Sequence, residues 1–111
     1  MKIIRLTKRG EAISDFNISN YVDVIVSAEP NAEFNISTGM VIDELRARIA
    51  EGVIDTNDYT VMVDDENGEL QQFNIDKNGR SQDWQPIQYT FENTISRILS
   101  ASIKKHKDEK L

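Results

Sequence analysis

The 111-residue chain contains no cysteine. That excludes disulfides, thiolate nucleophiles and thiolate-bound metals. It has one histidine, His106, set in a basic tail. A lone histidine and no cysteine argue against the common catalytic triads and dyads, leaving only the rarer Ser–Lys type. A glycine-rich phosphate loop is also missing: Gly39, Gly52, Gly68 and Gly79 stand isolated, each in a turn or helix-end role. No apolar run approaches the roughly 18 residues that span a bilayer. The first residues, Met1-Lys2-Ile3-Ile4-Arg5-Leu6, carry charge but no segment of signal-peptide length. A cytoplasmic location is the expectation, so the sequons at Asn17 and Asn35 read as chance. The final Asp-Glu-Lys-Leu does not match an ER-retrieval signal.

What is present is charge, sorted along the chain. Tyr21 to Asp76 holds 13 acids against Arg46 and Arg48, a net of −11, whereas residues 1–20 carry +2 and residues 77–111 carry +3. Charge of this kind informs on partners and solubility rather than fold. The hydrophobic fraction of 39% and charged fraction of 29% are those of a folded protein. One α+β domain over residues 1–111 is expected, with a basic helical C-terminal tail at about 104–111.

Lys2 to Thr7 reads as a strand, and Lys8-Arg9-Gly10-Glu11 as a turn into a second strand over Ala12 to Ile18. Tyr21 to Val26, rich in β-branched residues, reads as a further strand. Gly39 to Glu51 reads as a helix capped by Ser37 or Thr38. Val41, Ile42, Leu45 and Ile49 form its apolar stripe, Glu44 and Arg48 an i,i+4 pair, and Gly52 its left-handed cap. Tyr59 to Val63 and Glu69 to Ile75 form a hairpin around Asn67-Gly68, with Met62 opposite Phe73 and Thr60 opposite Ile75. Asn78-Gly79 marks another turn, and Ser81 to Gln88 a polar loop with a short strand at Ile87 to Tyr89. A last helix starts near Phe91, capped by Thr90, with Phe91, Ile95, Ile98, Leu99 and Ser102 on one face. This order implies a small antiparallel or mixed sheet of hairpins with two α-helices packed on one face.

Three copies of Phe-Asn-Ile-(Ser/Asp), beginning at Phe16, Phe34 and Phe73, read as strand ends rather than a solenoid repeat. The acidic stretch from Asp64 to Glu69 fails as an EF-hand. With Gly68 at the loop glycine, Val63 and Asn74 fall where acids are required. Neither a metal nor a cofactor is implied, and no catalytic residue is assigned. Cations such as Lys104, Lys105 and Lys107 are stabilising at a helix C-terminus by themselves, so direct nucleic-acid binding is disfavoured.

The leading functional expectation is a non-enzymatic interaction or inhibitor module docking on a basic protein surface. Its candidate face comprises Asp43, Glu44 and Glu51 on the outer side of the first-half helix, the loop acids Asp55 and Asp58, and the hairpin-tip acids Asp64, Asp65, Glu66 and Glu69. Acids two apart on a strand lie about 7 Å apart on one face, a spacing that can imitate phosphates. Trp84, in a polar loop, is either an interface anchor or a plug over the core. The alternative is a small structural subunit of a homo-oligomer or larger assembly. The compact, acidic, cysteine-free composition has the general look of a phage or mobile-element accessory protein.

Overall fold

A computed structural model describes residues 1–64, 68–81 and 92–109, with side chains within the last segment described for 97–106. The elements run β1 (Lys2–Glu11), α1 (Ile18–Ser27), β2 (Glu33–Ile36), α2 (Met40–Ala50), β3 (Tyr59–Asp64), β4 (Leu70–Phe73) and α3 (Glu92–Glu109). Short 3-10 turns, Asp15–Asn17 and Thr56–Asp58, precede α1 and β3. The four strands form one sheet in the order β2-β1-β3-β4. β1 pairs parallel with both β2 and β3, and only β3 and β4 are antiparallel. The fold is thus α+β with a mixed sheet, and the described residues hold three α-helices where two are expected from the sequence.

The third helix arises where a strand was expected. Ile18, Val22 and Ile25 recur at helical spacing and are buried, while Asp23 and Val24 face solvent. Over ten residues this 3.6-residue period outweighs the β-branched composition of Tyr21 to Val26. Tyr21 meets Phe34 of β2 edge-on, ring centroids 6.2 Å apart. These α1 residues join Val41, Ile42 and Leu45 of α2 and Ile4, Ile36, Val61 and Phe73 of the strands in one core.

The expected N-terminal hairpin is absent because β1 continues to Glu11. Leu6 and Glu11 both pair with Ile36, so residues 7–10 bulge between them. Gly10 serves a close approach there rather than a turn, since a Cβ at this position would collide with the Ile36 backbone. The Ser37 N–H donates to the Glu11 carbonyl at 2.8 Å. The Thr38 hydroxyl, expected to cap α2, instead accepts from the Ile13 N–H at 2.8 Å and donates to the Ile13 carbonyl at 3.3 Å.

The β3–β4 pairing forms one residue out of the expected register, with Val61 opposite Phe73 and Met62 opposite Gln72. A one-residue slip exchanges the faces of a strand. The observed register puts buried Val61 and buried Phe73 on the same face, which the expected one would have separated. Of the three Phe-Asn-Ile copies, the second closes β2 and the third runs off the end of β4. The first instead enters α1 and leaves Phe16 95% exposed.

α2 forms where expected and ends at Gly52, whose φ is +77°. Its Val41–Leu45–Ile49 stripe is buried, but so are Asp43, Arg46, Ala47 and Ala50 on another side. α3 packs against α2. It buries Ile98 while Leu99 stays half exposed, so the expected single apolar face splits. The expected Thr90 cap, the Ile87 to Tyr89 strand, and the Phe91 and Ile95 side chains lie outside the described residues.

Candidate functional site

α2 lies between the core and α3, and its charged residues are the hub of the molecule. Arg48 donates to Glu44 at 2.9 Å one turn earlier, to Asp23 of α1 at 2.7 Å, and to both the carbonyl and hydroxyl of Ser19 at 3.1 Å. From the other side Arg97 of α3 donates to Glu44 at 2.5 Å and to Glu51 at 2.6 Å. The chain Asp23–Arg48–Glu44–Arg97–Glu51 therefore ties all three helices together. Burial alone would raise the Glu44 pKa, but the hydrogen bonds from Arg97 and Arg48 outweigh it and hold the carboxyl below its usual range. Glu51 and Glu44 raise the Arg97 pKa, and at Arg48 burial, which lowers it, is outweighed by the bonds to Glu44 and Asp23.

Asp43 is buried with no exposed surface. Arg46 reaches its Oδ1 at 3.3 Å, and its Oδ2 has no hydrogen-bond partner among the described residues. Burial is the larger influence and pushes the pKa up to about 6 against the opposing pull of Arg46. Arg46 also donates through Nε to the Gly79 carbonyl at 2.9 Å. Gly79 belongs to a tight turn in which the Asp76 carboxylate accepts from the N–H groups of Asn78 at 2.8 Å and Arg80 at 3.0 Å. The Gly79 φ is +76°, and a Cβ there would strike the Arg46 carbonyl, so this turn docks on α2 only with glycine.

The acids singled out from sequence thus divide. Asp43 is buried rather than on the outer side of α2, and Glu44 and Glu51 are engaged by arginines. Asp55 accepts from the Asn57 N–H at 2.9 Å and caps the turn before β3. Asp55 and Asp58 are exposed, and Asp64 ends β3 half exposed. None of these three has an ion pair among the described residues. Glu69 is exposed beside β4. Asp65, Glu66 and Trp84 lie outside the described residues. Asp58 and Asp64 bracket β3, so at ~3.3 Å per residue they stand about 20 Å apart.

Sequence reasoning missed Arg97 as the link between α3 and α2, because its partners lie 46 and 53 positions away. It also missed a polar groove where the 76–80 turn, the end of α2 and α3 meet, although Asn78-Gly79 was legible as a turn. Among the described residues no three metal-ligating side chains converge, and no helix is long and apolar enough to cross a membrane. Set against known proteins, the chain matches no family model, and no curated protein or solved structure is significantly similar to it.

Proposed function

We propose that the protein is a non-enzymatic interaction module that docks on a basic protein surface, acting as an inhibitor that imitates nucleic acid. Such a role suits an accessory protein of a phage or mobile element working in the cytoplasm. The observation that supports it is the division of the acids. Arg5, Arg46, Arg48 and Arg97 each hold a carboxylate within the fold, whereas Asp55, Asp58 and Asp64 carry no ion pair among the described residues. The docking face is therefore drawn from Asp55, Asp58 and Asp64; the reading also takes in Glu69 and, outside the described residues, Asp65, Glu66 and Trp84. Asp43, Glu44 and Glu51 act in stability instead. Charges of this kind steer association and weaken with salt.

The test is a tagged pull-down from native host lysate at low and high salt. Recovery of a basic, nucleic-acid-handling protein, released by salt and lost on Asp58→Lys with Asp64→Lys, supports the reading. Recovery of the protein alone, insensitive to salt, sinks it.

A second reading, a structural subunit of a homo-oligomer, is favoured by Leu99 and Ile103. They lie one turn apart on α3 and are 51% and 58% exposed. A mass that rises with concentration supports that reading.

A further inference from the structure

The 76–80 turn and the C-terminal half of α3 enclose a groove of about 810 Å3 against the end of α2. Thr56, Lys77, Asn78, Ser102, Lys105 and His106 line it. In a chain of net charge −6 this is a local gathering of basic side chains, and Arg80 adds a fourth by donating to Ser102 Oγ at 3.2 Å. No ion pair engages Lys77, Arg80 or Lys105 among the described residues. Among the described residues the Lys105 ammonium makes only long contacts, to the Lys77 carbonyl at 3.5 Å and Asn78 Oδ1 at 3.4 Å. An ammonium has three strong donors, so most of its capacity remains unspent.

The neighbouring acceptors do not absorb these cations. Near the C-terminus of α2, the carbonyls of Ala47, Arg48 and Ile49 already accept from the N–H groups of Glu51, Val53 and Gly52. One acid, Asp55, also lines the groove, and its Oδ1 accepts from the Asn57 N–H. Basic and hydroxyl side chains line it instead, and Ser102, accepting from Arg80, keeps its own O–H to donate.

We propose that this groove binds a phosphate group, with Lys77 and Lys105 supplying the charge and Ser102 and His106 the directed hydrogen bonds. Charge-assisted contacts to oxyanions are the strongest hydrogen bonds a surface groove can offer. The groove meets the acidic docking face at Asp55, and the proposal does not depend on that reading.

The test is an NMR titration of the full chain with inorganic phosphate and, separately, with AMP, each against chloride at matched ionic strength. The ring C–H signals of His106 are unambiguous because it is the sole histidine. Saturable shifts of these signals and of the Ser102 amide with phosphate, absent with chloride, are expected. Lys77→Gln with Lys105→Gln should weaken binding about tenfold or more, with the circular dichroism unchanged. Saturation by AMP at the same residues supports a phosphate monoester as the ligand, and saturation by inorganic phosphate alone supports the free ion. Chloride reproducing the shifts, or the double variant binding as tightly as the parent, overturns the proposal.

Discussion

Arg97 and Glu44 meet at 2.5 Å across the α2–α3 interface, and that contact joins the basic C-terminal third of the chain to its acidic middle. The same guanidinium holds Glu51, so one side chain spans nearly two turns of α2. The charge sorting evident along the sequence is therefore partly cancelled within the fold.

Arg97→Ala should loosen α3 from α2. The pairs are partly exposed, and hydrogen bonds to charged groups contribute about 1–3 kcal/mol. A loss of about 1–2 kcal/mol in chemical denaturation is expected, with faster amide exchange confined to α3. Uniform exchange across α3 and the sheet would show that the helix is not held at this point.

Asp43 should make stability depend on pH in an unusual direction. Its folded pKa of about 6 lies above the ordinary aspartate value, so the native state binds the proton more tightly than the unfolded chain. This contribution is present at low pH and is lost as pH rises through about 6. Asp43→Asn removes that dependence. The stability of the variant relative to the parent should rise by about 2–3 kcal/mol between pH 4 and pH 7. Taking the difference removes the opposite trend of Glu44, whose lowered pKa supports the fold above its unfolded value and fails on acidification.

Gly10→Ala should destabilise by about 1–3 kcal/mol, the usual range for overpacking. A Cβ at position 10 meets backbone atoms of Ile36, which cannot turn aside as a side chain can. The loss should appear as early exchange of the Ser37 amide, the donor that closes this junction. An unchanged melting temperature would mean that β1 and β2 can separate without cost.

Asp58→Lys with Asp64→Lys should leave stability within about 0.5 kcal/mol, because neither carboxylate holds an ion pair among the described residues. Salt-sensitive association with a basic partner should disappear.

Leu99→Glu with Ile103→Glu should likewise spare the fold, since both side chains face solvent. Sedimentation across a range of concentrations reads the outcome. A mass that depends on concentration in the parent but not in the variant assigns this stripe to self-association.

Sequence alone determined the elements whose signals are local. α2 follows from its own apolar period, its Glu44–Arg48 pair and Gly52. β3 follows from its β-branched run, and the 76–80 turn from Asn78-Gly79. The charge asymmetry was equally plain. Tertiary structure decided what depends on partners distant in the chain. It made α1 a helix, because Ile18, Val22 and Ile25 had a core to enter, and it kept β1 extended past Gly10, because Ile36 lay beside it. It set the β3–β4 register through the shared face of Val61 and Phe73. Above all it decided which acids are surface: Asp43, Glu44 and Glu51 look equivalent to Asp55 and Asp58 in sequence. They are distinguished only by burial and by whether Arg46, Arg48 or Arg97 arrives within hydrogen-bond reach, and that proximity is created by folding.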